Sequence, residues 1–136
     1  MKIGIVGCAG RMGRMLVQAV HATPGAELAG GTEAAHSDAI GKDPAMLAGL
    51  PGSDLKIISD ARALFEASDA VVDFTVPVAT VAHAALAAET GTALIPGTTG
   101  LSQEEQALIE KAAGSAAIVQ AANYSVGVNV LLGLTA

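Results

Sequence analysis

The chain has 136 residues, 51% of them hydrophobic, and a mean hydropathy of +0.52, which is enough for one packed domain and argues against an intrinsically disordered chain. The net charge of −6 and the pI near 4.8 argue against a broad basic surface for nucleic acid or anionic membranes. The single cysteine, Cys8, excludes an intrachain disulfide and a multi-cysteine metal cluster, and no metal site is predicted.

Short apolar runs alternate with helical patterns along the chain. The predicted strands are residues 2–6, 27–31, 56–58, 70–74, 93–95 and 117–120. The predicted helices are residues 10–21, 61–67, 78–90 and 103–113, and residues 36–54 are predicted to be a loop with one helical turn. Most of the strands are short continuous apolar runs, as expected where helices cover both faces of a sheet. This order predicts an α/β fold, a Rossmann-like, doubly wound parallel sheet in a single domain.

Three glycines lie at the junction between the first predicted strand and the first predicted helix: Gly7, Gly10 and Gly13. Gly7 permits a tight turn, Gly10 lets the backbone approach a phosphate, and Gly13 lets the helix pack closely. The unpaired amides of such a helix N-terminus favour a diphosphate. Glu33 follows Gly13 by 20 residues, at the end of the second strand, where a carboxylate can accept hydrogen bonds from ribose hydroxyls. The pattern predicts a bound dinucleotide, and the alternative is a glycine-rich turn in an unrelated α/β domain.

Side chains near this loop allow two interpretations. Arg11 and Arg14, in the first helical turn, favour an arriving phosphate, or else they are solvated surface arginines. Cys8 is interpreted as a small residue tolerated in the loop. The histidines His21, His36 and His83 are all predicted to face solvent.

Three further strand ends are predicted to reach the same edge of the sheet, where ligands of open α/β sheets bind. They are the segments "DFTVP" (73–77), "PGTTG" (96–100) and "AANYSVGVN" (121–129). Residues 97–99 can bring backbone groups against a flat ring, and Asn123 and Tyr124 can offer a carboxamide partner and a stacking face. Each segment alone is also compatible with ordinary turn chemistry.

Four segments of the sequence carry a resemblance to a known family. They are "GIVGCAGRMGRML", "VVDFT.P", "LIPGTTGLS.EE" and "AANYSVGVNVL", and they resemble the dihydrodipicolinate reductases, the 4-hydroxy-tetrahydrodipicolinate reductases of bacterial lysine biosynthesis through diaminopimelate. The resemblance covers essentially the whole chain. It implies a two-domain enzyme that passes a hydride from NADH or NADPH to a cyclic dicarboxylate imine. Residues 1–125 then correspond to the NAD(P)-binding domain, and residues 126–136 to the hinge and the start of a missing substrate-binding domain.

The resemblance also implies roles for individual residues. The implied contacts are Gly7, Cys8, Ala9, Gly10, Arg11 and Met12 for the pyrophosphate, Glu33 for the adenosine ribose, Gly97, Thr98 and Thr99 for the nicotinamide ribose and carboxamide, and Ala121, Ala122, Asn123 and Tyr124 for closure over the nicotinamide. The family often has a basic residue directly after the glutamate, where this chain has Ala34. Since Glu33 would also repel a 2′-phosphate, NADH is the expected cofactor, unless Arg11, His36 or Lys42 compensates.

The family's catalytic "HH...K.D.PSGT" segment is absent from these 136 residues. The 136 residues are therefore predicted to lack reductase activity and to bind the dicarboxylate substrate only together with the second domain, through which the family forms homo-oligomers. The expected location is the cytoplasm, with no nucleic-acid or membrane partner. Two alternatives are another two-domain NAD(P)-dependent dehydrogenase, such as the glucose-fructose oxidoreductase or homoserine dehydrogenase groups, and a non-catalytic nucleotide-sensing or interaction module.

Overall fold

A computed structural model of the chain describes residues 1–121 and 124. Along this part of the chain the elements are β1 (Lys2–Val6), α1 (Arg11–Ala22), β2 (Glu27–Thr32), α2 (Pro44–Leu47), α3 (Ala61–Glu66), β3 (Ala70–Asp73), α4 (Pro77–Thr90), β4 (Ala93–Pro96) and α5 (Gln103–Ala112). Each lies within two residues of a predicted strand or helix, or of the helical turn predicted in the loop. The predicted hinge, residues 126–136, lies outside the described residues.

The four strands form one parallel sheet in the order β2-β1-β3-β4. Strand β1 lies between β2 and β3. After β1 the chain forms β2 on one side of β1, and it then crosses over to form β3 on the other side. The strand order therefore reverses between β1 and β3, and in open parallel sheets ligands bind in the crevice outside the carboxyl ends at such a point. The predicted Rossmann-like α/β fold is confirmed.

Two of the predicted strands, 56–58 and 117–120, are wrong as strands. Each contributes only an isolated parallel bridge at an outer edge, Ile58 to Thr32 and Ile118 to Leu94. In the first case the backbone of Ile57 is bonded to the loop instead of the sheet, since it donates to the carbonyl of Lys42 at 2.9 Å. Both segments form hydrogen bonds with an edge of the sheet, but each pairs at a single residue and forms no continuous ladder.

Helices cover both faces of the sheet and enclose two apolar clusters. Ile5 points to the face of α1 and the loop that contains α2, where it packs with Val17. Val6, the next residue, points to the face of α3, α4 and α5, where it packs with Phe65. This alternation along a strand buried on both sides explains the unbroken apolar run of β1.

Terminal residues fix where the helices start. Ser102 and Glu105 form a capping box at α5, as the "SQEE" pattern predicts. Pro77 occupies the first turn of α4, a position where its missing N–H costs no hydrogen bond. None of the helices in the described part combines the length and apolar character needed to cross a bilayer.

Candidate functional site

The loop between β1 and α1 depends on two of its glycines. Gly7 has φ +67°, in the left-handed region that glycine enters without strain. Gly13 packs against the loop so tightly that a Cβ there would overlap the carbonyl oxygen of Gly7 and lie 2.6 Å from the Cα of Cys8. The turn predicted at Gly7 and the close packing predicted at Gly13 are both confirmed.

The N-terminus of α1 presents uncapped amides at this loop. Its N-cap is Gly10, without a side-chain hydrogen bond, and its first turn contains no acidic residue. Within residues 1–121 and 124, no acceptor is found for the backbone N–H groups of Arg11, Met12 or Gly13. Unpaired amides and the positive end of the helix dipole together favour an anion.

The two arginines of the first turn differ in availability. Nε of Arg14 donates to the carbonyl of Ala9 at 2.8 Å, so this side chain lies back along the loop. Arg11 is exposed, and its guanidinium has no acceptor among the residues that the structure describes. Arg11 is therefore the arginine that can turn towards an anion without breaking an existing contact.

Glu33 lies beside the glycine loop, directly after β2. Its side chain is half-buried, and its Oε1 accepts the N–H of Ala9 at 2.8 Å. This bond orients the carboxylate, while Oε2 has no partner in the described ranges and can accept a ligand hydroxyl. The structure thus places Glu33 where the sequence predicts it, although ribose binding stays a prediction.

Cys8 is a packing residue of the loop. It is fully buried, and a Cβ on Gly31 of β2 would overlap its Sγ. Burial and the nearby charge of Glu33 raise the pKa of the thiol to about 12. The thiol therefore stays protonated and unreactive at neutral pH, in line with its interpretation as a small residue tolerated in the loop.

Two adjoining surface cavities open at the carboxyl ends of β1, β2 and β3. The loop groove, of about 490 Å³, is lined by Gly7, Ala9, Gly10, Glu33, Ser37, Phe74, Thr75 and Val76. The β2-side cavity, of about 440 Å³, shares four of these residues and extends to Ala34, Ala35, Ser59, Ala79 and His83. Both volumes lie within the range of small-molecule sites. The sequence analysis placed the segment 73–77 at this edge without an individual role for Phe74, Thr75 or Val76, and these three residues line the loop groove.

A third cavity, the β4-side cavity, lies beside the loop that follows β4. It has about 440 Å³ and is lined by Thr98, Thr99, Gly100, Leu101, Gln106, Gln120 and Ala121. Gly97 precedes it and lies against Phe74, so that a Cβ on Gly97 would overlap the aromatic ring. The loop after β4 thus packs onto the loop after β3, as expected for strand ends on one edge of the sheet.

A hydrogen-bond network that the sequence analysis did not foresee joins these two loops. Asp73, the last residue of β3, is fully buried. Its Oδ1 accepts the N–H of Thr75 at 2.9 Å and the hydroxyl of Thr75 at 2.5 Å, and the hydroxyl of Thr98 lies 3.5 Å from the same oxygen. Burial raises the pKa of Asp73, but hydrogen bonds from His83 and Thr75 outweigh it and hold the pKa below its ordinary value. The carboxylate is therefore ionised at neutral pH.

The prediction that all three histidines face solvent is wrong for His83. Its side chain is only 12% exposed, its Nδ1 lies 2.8 Å from Oδ2 of Asp73, and its ring stacks on Phe65. His21 and His36 are exposed as predicted. The available signal was a carboxylate that ends an otherwise apolar strand, "AVVD", because a buried charge requires a partner.

The segment after residue 120 is described in part. Ala121 borders the β4-side cavity, and Ala122 and Asn123 lie outside the described residues. The hydroxyl of Tyr124 lies 2.6 Å from the carbonyl of Val119 and 3.0 Å from that of Pro96, and its ring centroid is 5.9 Å from that of Phe74. Tyr124 therefore contacts the same edge of the sheet as the glycine loop and the loops after β3 and β4.

Comparisons with known proteins show the family and agree with the fold. The family model described as "Dihydrodipicolinate reductase, N-terminus" matches residues 1–124. A 4-hydroxy-tetrahydrodipicolinate reductase from Bradyrhizobium sp. (strain ORS 278) is 47% identical over 98% of the chain, and that of Bradyrhizobium diazoefficiens is 45% identical over 96%. The chain spans 49% and 48% of these two proteins, about half their length. A dipicolinate-bound dihydrodipicolinate reductase from Paenisporosarcina sp. TG-14 shares the fold, with a TM-score of 0.76 and 22% identity over 98% of this chain and 51% of that one.

Proposed function

The chain belongs to the dihydrodipicolinate reductase family, and on that premise we propose that it binds NADH or NADPH as the nucleotide-binding half of a 4-hydroxy-tetrahydrodipicolinate reductase. The observation that carries this proposal is the uncapped N-terminus of α1, which faces the loop groove where the strand order reverses. The bound nucleotide would supply a hydride for a cyclic dicarboxylate imine. The role of this chain is to hold and orient the nucleotide.

The pyrophosphate is proposed to lie in the loop groove. The free N–H groups of Arg11 and Met12 point from the first turn of α1, and Gly10 leaves the approach open because it has no side chain. Arg11 adds an exposed positive charge, whereas the amide of Ala9 is already bonded to Glu33. Gly7 and Cys8 shape the loop, and their own amides donate to the carbonyl of Thr32 at 2.9 and 3.3 Å.

The adenosine half is proposed to occupy the β2-side cavity. This cavity adjoins the loop groove and is bounded by Glu33, whose oriented carboxylate can accept hydrogen bonds from both ribose hydroxyls. Small side chains, among them Ala35 and Ala79, leave room for a flat ring. The location agrees with the size and mostly apolar lining of this cavity.

The nicotinamide half is proposed to lie over the loop after β4. Gly97, Thr98 and Thr99 present backbone groups there, at the positions that the family resemblance implies. Ala121 and Tyr124 lie at the same edge, and we assign the closure over the ring to them together with Ala122 and Asn123. Since this sequence has no "HH...K" segment, NADH with the imine substrate should give no turnover above background.

Nucleotide binding is tested most directly at Gly10. Among the described residues, a Cβ at Gly10 would meet only the carbonyl oxygen of Gly7, at 3.3 Å, so Gly10→Ala should fold with a small local adjustment yet obstruct the pyrophosphate. We expect NADH to bind the wild-type chain and to bind Gly10→Ala about tenfold more weakly, by fluorescence titration, a change of about 1.4 kcal/mol. Gly114→Ala is the matched control, because its Cβ would also lie 3.3 Å from a carbonyl oxygen, that of Lys111. Equal losses in both variants would contradict the proposal.

The cofactor is proposed to be NADH in preference to NADPH. The carboxylate of Glu33 would repel a 2′-phosphate, and the next residue, Ala34, supplies no positive charge. Ala34→Arg should therefore raise the affinity for NADPH relative to NADH, by about tenfold for one charge-assisted pair. Calorimetric titration of both nucleotides measures this ratio, and Ala85→Arg, exposed on α4, is the control. A wild-type chain that binds both nucleotides equally would refute the preference.

A further inference from the structure

Asp73 stands between the two ends of the proposed nucleotide site. Its Oδ2 is bonded to His83, which lines the β2-side cavity, and its Oδ1 lies near the hydroxyl of Thr98, which lines the β4-side cavity. These two cavities have no lining residue in common. The carboxylate is therefore a direct physical link between their walls.

The fold itself gives no reason for a charge at this position. Asp73 is fully buried. The other buried polar side chains among the described residues are threonines, so Asp73 is the one buried residue there that carries a charge. Burying a carboxylate costs several kcal/mol unless partners surround it. Here the partners come from three separate segments: Thr75 after β3, His83 on α4 and Thr98 after β4. A residue with such a cost and such partners is suited to fixing the relative position of those segments.

Thr80 completes the link from α4. Its hydroxyl donates to the Oγ1 of Thr98 at 2.7 Å, and the N–H of Thr75 donates to the same oxygen at 3.1 Å. Oγ1 of Thr98 also lies 3.5 Å from Oδ1 of Asp73, and the N–H of Thr75 is shared between these two oxygens. Thr98 is thus held by Thr80 of α4 and by Thr75, whose N–H and hydroxyl both donate to the carboxylate of Asp73.

We propose that Asp73, His83 and Thr80 are positioning residues that couple the adenosine end of the site to the nicotinamide end by holding Thr98 in place. This inference rests on the proposed function. It means that a change at His83, in the wall of the adenosine end, weakens binding of the nicotinamide half, which His83 does not touch.

The test compares two ligands by titration calorimetry. ADP-ribose contains the adenosine, both phosphates and the second ribose, and NADH adds the nicotinamide ring. The Kd of ADP-ribose divided by the Kd of NADH therefore measures the contribution of the ring. In His83→Asn this ratio should fall about fivefold, the effect of one misplaced hydrogen bond. His21→Asn, the same substitution at an exposed site, should leave both Kd values unchanged. If His83 does no more than line the cavity, the Kd values of ADP-ribose and NADH rise by the same factor and their ratio stays constant. That result would refute the coupling.

Substitutions at Thr80 separate hydrogen bonding from packing. Thr80→Val keeps the shape of this fully buried side chain but removes its hydroxyl, and Thr80→Ser does the reverse. We expect Thr80→Val to lower the Kd ratio about fivefold and Thr80→Ser to preserve it. The opposite order would show that only packing matters and would overturn the proposal.

Failure of this inference is distinguishable from failure of the proposed function. A wild-type chain that binds neither NADH nor ADP-ribose would refute both. A wild-type chain that binds both equally would leave nucleotide binding intact but refute the role of Thr98, and with it the coupling. A wild-type ratio above one that no variant changes would refute the coupling alone.

Discussion

Replacing Gly13 by alanine is expected to destabilise the chain by about 2 kcal/mol and to abolish NADH binding. Helix propensity alone predicts the opposite sign, since alanine in a helix interior is favoured over glycine by about 1 kcal/mol. The steric cost outweighs this gain because the new Cβ would overlap the carbonyl oxygen of Gly7 and approach the Cα of Cys8 to 2.6 Å. These neighbours are backbone atoms, so α1 must move away from the glycine loop, and its free amides move with it.

Urea unfolding monitored by circular dichroism measures the loss of stability, and NADH fluorescence measures binding. Gly10→Ala serves as the control, because it adds the same methyl group in the same loop with only one contact at 3.3 Å. It should weaken binding while leaving the unfolding midpoint nearly unchanged. A Gly13→Ala chain as stable as the wild type would show that the helix is not held against the loop as described.

The glycine loop could be predicted from the sequence because its requirements are local. Gly7 and Gly13 are needed by the backbone of one turn, and the strand before and the helix after it are both visible as patterns. The spacing to Glu33 adds a second strand at a fixed distance along the chain. The parallel order follows from the alternation of strands and helices, which the sequence displays without any knowledge of side-chain contacts.

The outer strands could not be predicted with the same success. Residues 56–58 are predicted as a strand because Ile57 and Ile58 are apolar and β-branched, but hydrogen bonds to residues 41 and 42 hold the backbone of Ile57 in the loop. Ile57 pairs with Lys42, which lies 15 residues earlier in the chain, and no local propensity indicates that pairing. Competition between a loop and a sheet edge for the same backbone groups is decided by tertiary structure.

The network at Asp73 was missed for a similar reason. His83 follows Asp73 by 10 residues and comes from another element, and a lone histidine on a helix is compatible with a solvated face. Thr98 comes from a third segment. The pairing depends on how α4 lies across the sheet, which sequence periodicity does not specify. The buried carboxylate at the end of β3 was the one local sign of it.

Asp73→Ala is expected to lower the free energy of unfolding at neutral pH by about 3 kcal/mol, because the partners around the fully buried carboxylate lose their hydrogen-bond acceptor. Thr75 would lose the acceptor of its hydroxyl and one of the two acceptors of its N–H, and His83 would lose its partner at 2.8 Å. Asp73→Asn keeps the shape and one acceptor oxygen, so it should cost less. Asp38→Asn, at an exposed carboxylate, is the control and should have little effect.

The same variants should reveal the sign of the pH dependence. Because the pKa of Asp73 is held below its ordinary value in the folded chain, the ionised carboxylate stabilises the fold above the unfolded pKa of about 3.9. That contribution is lost as the pH falls from this value through the lower folded pKa. Asp73→Asn cannot lose it, since a carboxamide does not titrate in this range. The difference in unfolding free energy between the wild type and Asp73→Asn should therefore shrink below about pH 4. Urea titrations at pH 7 and below pH 4 measure it, and a difference that grows on acidification would show that Asp73 is protonated in the fold.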